Sequence, residues 1–347
     1  MDAKVDLETF NPALFDGWMP MRVLWPQRRA RVEWCYAGDV RPIDPFFDQT
    51  VEECLRRPFN LLFRRQTPIE MLGRLHEARP GLEPTAFIFH MSRCGSTLIS
   101  QMLAALPQNI VISESGPIYS VLEAWRTDAG VTDDTRLEWL RWIVSALGRR
   151  QTGDEEHYFI KFDAWNTVDL PLIQRAFPLV PWIFVYRDPV EVLVSHLNRR
   201  GARMFPGVVE PQMLNLTADS AMQMPPERYD AVVLQAICRA ALENQTGRCR
   251  FINYRQLPSA FFSSVLDFFR VNYTSTELER MRHAAQFHAK YPSMNFVDDT
   301  EAKRLQATDA VRRAADELLS PLYEQLEAAR RAQEQSAPAE EKPGECF

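Results

Sequence analysis

From Thr85 onward two patterns alternate along the chain, and this alternation constrains the fold more than any other feature. Five short runs read as strands: "TAFIFHM", "NIVISE", "HYFIKFDAW", "PWIFVYRDP" and "CRFINYRQL". The first and fourth are near-continuous apolar runs bounded by polar turns, as expected of strands buried on both faces. Between them lie segments such as "STLISQMLAAL", "RLEWLRWIVSALGRR" and "VEVLVSHLNRR", whose apolar residues fall three and four apart, as on a helix. Strands alternating with helices imply right-handed crossovers and a parallel sheet with helices on both faces, a three-layer α/β architecture.

The flanks of this region are less regular. Residues 1–84 carry prolines at 12, 20, 26, 42, 45, 58 and 68, a spacing that argues against long helices. They are expected to form an irregular N-terminal extension that packs on the core and covers an acceptor site. "VEECLRRPFNLLFRR" has helical spacing and is expected to break at Pro58. Residues 85–330 form the expected α/β domain, with an insertion or lid at 200–225 where Gly, Pro and Met show no period. "DAVRRAADELLSPLYEQLEAARRA" reads as one terminal amphipathic helix, and polar residues 331–347 as a disordered tail.

The bulk numbers exclude some functions. Net charge is -6 over 347 residues, which argues against a nucleic-acid binder but leaves room for a local basic pocket. The six cysteines show no CxxC pair and no regular spacing, so neither a zinc site nor a disulfide framework is indicated. The N-terminus does not read as a secretory signal, and no apolar run approaches the roughly 20 residues of a membrane helix. The expected compartment is the cytoplasm.

Two strand-to-helix corners carry the chemistry. In the first, Ser92, Arg93, Cys94, Gly95, Ser96 and Thr97 link a strand to a helix. Free backbone N–H groups and the helix dipole make such a corner a site for phosphate or sulfate. Ligands in open α/β sheets bind in the crevice beyond the strand ends. Gly95 lets the backbone approach closely, and Ser96 and Thr97 add hydroxyl donors. An NTP-binding loop would instead carry Gly-Lys ahead of its Ser/Thr, and here Cys94 precedes Gly95 with no lysine after it. The alternative is a helix N-terminus at which Ser and Thr serve only as caps. In the second corner, Arg187 ends a strand and Ser195 follows eight positions on, about two helical turns away. An arginine fork and a hydroxyl on one crevice suit a second phosphate. An ordinary surface pair of Arg187 and Asp188 accounts for Asp188 as a helix cap, but not for a paired anion site.

The two corners in register resemble the P-loop sulfotransferase family, bacterial-type members included, which use 3'-phosphoadenosine 5'-phosphosulfate (PAPS). The resemblance covers roughly residues 85–255, with "INYRQL" similar to a family segment after the fifth strand. It implies that Ser92 to Thr97 hold the 5'-phosphosulfate and that Arg187 and Ser195 hold the 3'-phosphate. Ser92 stands where the family usually has Pro, and Cys94 where it has a small polar residue. The resemblance also implies in-line transfer of a sulfuryl group to a hydroxyl or amine of a small-molecule acceptor, without a metal and with adenosine 3',5'-bisphosphate as product. Lys161 falls where the family's third strand carries a lysine, and Asp163 where some members carry a base. Glu114 falls where others carry a glutamate base, and is the preferred base here, with Asp163 the alternative.

Further residues are less specific. Lys290, among aromatics, is expected to help hold the nucleotide, while Lys303 and Arg304 read as a solvated charge run. Trp165 is one of several aromatics able to stack on adenine. His90 reads as a satisfied core histidine, with a place in the crevice lining as the alternative, and His196, next to Ser195 on a helix, should point about 100° away from it. The acceptor is expected to be apolar or aromatic, with Trp18, Trp25, Trp34, Phe46, Phe47, Met204 and Phe205 as possible lining. Two other readings fit the loops: a small-molecule kinase with a divergent phosphate loop, and a non-catalytic nucleotide-binding protein.

Overall fold

The structure, a computed structural model, describes residues 10–295 and 299–336. A five-stranded sheet forms its centre: β4 (Ala86–His90), β5 (Asn109–Ser113), β6 (His157–Lys161), β7 (Trp182–Tyr186) and β8 (Cys249–Asn253), after three earlier strands. Their order is β5-β6-β4-β7-β8 and every pairing is parallel. All residues of β4, β5 and β7 are buried, as their apolar runs require of strands covered on both faces. The expected three-layer α/β fold is therefore present, and each expected strand lies within its quoted run. Chain past His157–Lys161 and Cys249–Asn253 does not extend the strands; both are followed by short 3₁₀ turns, Ala164–Asp169 and Tyr254–Gln256.

Register levels the carboxyl ends of the strands. Lys161 lies opposite Ile88 of β4 and opposite Ser113 of β5, while His90 lies opposite Val185 of β7. The side chains that follow these strands therefore meet along one edge, where ligands of open α/β sheets bind.

The N-terminal region is more regular than its prolines suggest. It forms a second, antiparallel sheet of β1 (Trp18–Leu24), β2 (Arg31–Tyr36) and β3 (Arg65–Pro68), in the order β1-β2-β3. Pro20 and Pro68 are tolerated because β1 and β3 are edge strands, and the register of β1 shifts between Pro20 and Arg22. β1 and β2 lack a clean alternation of buried and exposed residues, so their sequence gives a weak strand signal. The helix Phe47–Arg56 does end before Pro58, where the shorter helix Pro58–Leu62 starts. Arg41 donates to the carbonyls of Ala104 (3.3 Å) and Leu106 (2.8 Å), and Arg149 to that of Phe15 (2.9 Å), which ties this region to the α/β core.

The C-terminal segment is two helices, Asp309–Leu318 and Ser320–Gln335, rather than one. The chain turns at Leu319, because Pro321 cannot continue the first helix. Residues 331–335 are thus helical rather than tail; 337–347 lie outside the described residues. The last helix seals the sheet. Glu327 accepts from Tyr186 Oη (2.5 Å) and Asn253 Nδ2 (2.8 Å). Gln333 accepts from the Phe251 N–H (3.0 Å) and donates to the Cys249 carbonyl (3.2 Å), covering the open edge of β8 as a neighbouring strand would. Replacing Glu327 by Ala leaves the Tyr186 hydroxyl without its acceptor and the Asn253 amide with Tyr323 Oη alone. We expect a loss of about 1–3 kcal/mol in denaturant unfolding; an unchanged midpoint and slope would remove the seal from this description.

Candidate active site

A cavity of 640 Å³ opens at the level ends of the strands, within the roughly 300–1,000 Å³ usual for ligand sites. It brings together every residue expected to act except Lys161: Ser92, Arg93, Cys94, Gly95, Ser96, Thr97, Glu114, Asp163, Arg187, Ser195 and Lys290 all line it. Lys161 lies just beneath, with no exposed surface. Arg93 and Arg187, on which a paired anion site depends, share this single cavity.

The first corner is wound through left-handed backbone. Ser92 (φ 75°), Arg93 (φ 52°) and Gly95 (φ 87°) all have positive φ, and the helix Ser96–Ala104 starts at once. Two of these are not glycine, a strain that concentrates at functional sites. The first N–H groups of that helix have no intrahelical acceptor and face the strand-end crevice. Gly95 has a further reason to be glycine, because a Cβ there would come within 2.7 Å of the Tyr254 ring. The close approach is to Tyr254 from the β8 corner rather than only to a ligand. Cys94 contributes backbone alone: its thiol is fully buried, lies 3.0 Å from the Val185 carbonyl, and is pushed up to about 12 by burial. Arg93 donates to the Arg199 carbonyl at 2.7 Å, which leans it across the cavity mouth.

Beneath the loop sits an ion pair. Lys161 Nζ is 2.5 Å from Glu114 Oε1 and 3.4 Å from Thr97 Oγ1, and 5.1 Å from the centre of the Phe46 ring. Glu114 directly follows β5, so the opposition of Ser113 and Lys161 places it here; its N–H donates to the Lys161 carbonyl (2.7 Å), and its φ is 55°. Burial would raise the Glu114 carboxyl, but Lys161 and His90 outweigh it and hold it well below the usual carboxylate range. His90 is satisfied: Nδ1 accepts from the Ser92 N–H (3.0 Å) and Nε2 lies 3.1 Å from the Phe162 carbonyl. Asp163 goes the other way. Burial and the nearby Glu114 charge raise its carboxyl, against a weaker pull from Arg203 at 3.9 Å. Its Oδ1 accepts from the Trp165 N–H (2.9 Å), capping the following 3₁₀ turn.

The second corner is more heavily paired than its sequence suggests. Asp188 caps the helix Pro189–Asn198 by accepting from the N–H groups of Val190 (3.1 Å) and Glu191 (3.4 Å). Arg187 instead pairs with Glu191 (2.7 Å) and with Asp299 (2.9 Å), over the Tyr254 ring at 4.1 Å. Asp299 also takes Lys303 Nζ at 2.6 Å, and Arg304 reaches Glu191 at 3.0 Å and Asp188 at 3.3 Å. Lys303 is therefore not solvated as expected but lines the cavity, whereas Arg304 is exposed as expected while joining the same network.

His196 was not expected in the site. It is almost fully buried and lines the cavity, and neither ring nitrogen has a hydrogen-bond partner among the described residues. Burial, with Arg93, Lys290, Arg200 and Lys303 around it, holds it down to about 3, so it stays neutral. Trp165 Nε1 is likewise buried at the cavity wall without a partner. Lys290 lies 5.5 Å from the Phe46 ring and is lowered to about 8 by burial and by Arg93 and Lys161. Of the residues expected against an acceptor, Phe46 and Met204 reach the cavity, while Trp34 and Phe47 are core. Trp25 packs on Trp139, Trp18 lines a separate cavity, and Phe205 lies under Arg200.

A parallel α/β sheet thus carries a cation-rich cavity at its strand ends, lined also by three carboxylates, Glu114, Asp163 and Asp299. The family model of the sulfotransferase family matches residues 84–275, more than half of the chain. The chain belongs to the sulfotransferase family. No curated protein matches it. Similar solved structures include the sulfotransferase domain from the curacin biosynthetic pathway, 17% identical with a TM-score of 0.40, spanning 69% of this chain and 98% of that one. A sulfotransferase from Mycobacterium avium is 14% identical with a TM-score of 0.40, over 71% and 80%. The sulfotransferase domain of the Synechococcus PCC 7002 olefin synthase is 15% identical with a TM-score of 0.40, over 72% and 96%.

The Lys161–Glu114 pair yields a prediction independent of any ligand. Glu114→Gln keeps the shape but leaves a buried ammonium without its carboxylate. We expect a stability loss of about 3–5 kcal/mol in chemical denaturation; a variant as stable as the parent would show that the pair is not structural.

Proposed function

We propose that the protein transfers a sulfuryl group from PAPS to a small, largely apolar acceptor. The observation that carries this reading is the convergence of Arg93 and Arg187, from two different strand-to-helix corners, on one cavity. A donor with phosphate-type groups at both ends of one adenosine needs such a pair. The bridging of Arg187 and Lys303 by the Asp299 carboxylate supports an anion position at the second corner. Among the described residues the His196 ring nitrogens and Trp165 Nε1, beside this cavity, lack hydrogen-bond partners, which supports a ligand position next to them.

In this reading the N–H groups and hydroxyls of Ser92 to Thr97, with Arg93, hold the phosphosulfate end. Arg187, Ser195 and Lys303 hold the 3'-phosphate, and Lys290 adds charge between them. Bound PAPS supplies an electrophilic sulfur with a phosphate leaving group. The acceptor oxygen forms a bond to sulfur as the sulfur–oxygen bond to the 5'-phosphate breaks, and the acceptor proton passes to a carboxylate. Three carboxylates line the cavity; Asp299 is paired with Arg187 and Lys303, and of the other two we assign the base to Asp163 rather than Glu114. Environments that push two acids apart mark their separate roles: Glu114 is committed to Lys161 and is a weak base, whereas Asp163 holds a raised proton affinity. Glu114 then orients Lys161 beside Thr97, so that the buried ammonium favours charge developing on the leaving group from beneath the loop, through the Thr97 hydroxyl. Phe46, Ala164, Trp165, Met204 and Phe287 give the remaining wall an apolar character that suits an apolar or aromatic acceptor.

A thermal-shift titration in EDTA tests the donor. Adenosine 3',5'-bisphosphate should stabilise the protein, and Arg93→Ala should weaken that binding by roughly tenfold or more through loss of a charge-assisted contact. Stabilisation by ATP only with Mg²⁺ would point to a kinase instead. Radiolabelled sulfuryl transfer to a panel of phenols and lipophilic alcohols tests the base: Asp163→Asn should lower kcat by about 10²–10⁴ while leaving bisphosphate affinity unchanged. A fully active Asp163→Asn would return the role to Glu114.

Lys290 gives the pH signature. With its proton held to about 8 in the free protein, it is charged below that value and neutral above it. Bisphosphate affinity should therefore fall as pH rises through about 8, and Lys290→Met should be weaker at pH 7 and flatter across that range. A slope unchanged in the variant would show that another group titrates.

A further inference from the structure

The N-terminal sheet carries an apolar tip that the cavity does not use. Residues 56–65 contain Arg56, Arg57, Arg64 and Arg65, no acidic residue, and Phe59, Leu61, Leu62 and Phe63 between the arginine pairs. Within this stretch Asn60 is buried and clamps the turn. Its side chain accepts from the Tyr36 N–H (2.7 Å) and donates to the carbonyls of Tyr36 (2.9 Å) and Cys54 (2.7 Å). A polar residue is thus placed inward so that four apolar ones face out. Leu62 is 73% exposed, Leu61 59% and Phe63 56%. The surface is continuous: Phe63 lies 4.9 Å from Phe59, which lies 5.1 Å from Tyr36 and 5.9 Å from Trp18.

The rim of this tip is positive although the chain is negative overall. Arg57 approaches Asp39 (3.7 Å), and Arg22 and Arg64 share Glu33 (each 3.6 Å). Arg65 lies over the Phe15 and Trp18 rings, and Arg56 is exposed. Of these five arginines, three meet two carboxylates between them, Asp39 and Glu33. Exposed apolar side chains held rigidly outward are unusual on a soluble surface unless something covers them.

We propose that this tip docks the protein on an anionic lipid surface, its apolar side chains entering the headgroup boundary and its arginines meeting lipid phosphates. The combination of an apolar tip and a basic rim matches that boundary in both chemistry and charge. The side chains project rather than line a recess: Leu61, Leu62 and Phe63 belong neither to the 640 Å³ cavity nor to the one lined by Trp18. A fluid boundary conforms to such a projection, whereas a protein partner would need a matching pocket. Among the described residues no helix is long and apolar enough to cross a membrane, so the attachment is peripheral.

Sedimentation of the full chain with vesicles tests this. It should pellet with phosphatidylcholine–phosphatidylserine vesicles, much less with phosphatidylcholine alone, and less as salt rises. The double variant Leu61→Glu, Leu62→Glu should bind the mixed vesicles at least about tenfold more weakly, and Arg56→Glu should bind them more weakly too, with bisphosphate binding and thermal melting unchanged in both. No pelleting with either vesicle would overturn the proposal. So would unaltered pelleting of the double variant, or a lipid-free dimer that this variant abolishes, which would make the tip a self-association surface. Because nucleotide binding is read separately, the outcome does not depend on the sulfotransferase reading.

Discussion

A lysine ammonium with no exposed surface needs a carboxylate within reach, and the chain supplies it through strand register. Lys161 ends β6, Ser113 ends β5 opposite it, and Glu114 is the next residue. The 2.5 Å pair that results anchors the floor of the cavity. From it the remaining geometry follows outward: Thr97 touches the ammonium from the loop helix, His90 lies 3.6 Å from the carboxylate, and Phe46 covers the pair from the N-terminal region. Breaking a buried pair by removing one partner is far more costly than losing an exposed one, so this contact joins fold and chemistry in one place.

Local charge reconciles the net negative charge of the chain with the anion site proposed for it. Arg93, Lys290 and Lys303 line one cavity with Arg187, and the first three help suppress protonation of His196. Carboxylates at the second corner, Glu191 and Asp299, offset the repulsion between Arg187 and Lys303. Field and net charge are separate quantities, and the Phe46 ring, lying near both Lys161 and Lys290, adds a face that favours cations.

Much of this was legible in the sequence, for reasons that can be named. The five core strands announce themselves because burial on both faces forces continuous apolar runs, and the two corners because the residue types needed at a strand-to-helix anion site are few. The partners of Arg187 were hidden: Asp299 is more than a hundred residues away in the chain, and no local pattern predicts such a pair. His196 was misplaced because helical angle from Ser195 says nothing about which neighbouring elements close around it. Cys94 gives no sign in sequence that its thiol turns into the core. The N-terminal strands escaped because β1 and β2 do not alternate and β1 contains Pro20 at a sheet edge.

The most direct measurement is a crystal structure with adenosine 3',5'-bisphosphate. One molecule should span the cavity, its 5'-phosphate on the loop of residues 92–97 and its 3'-phosphate against Arg187 and Ser195, with the Asp299 carboxylate displaced or re-paired. Density for the nucleotide elsewhere, or at only one of the two corners, would contradict the account.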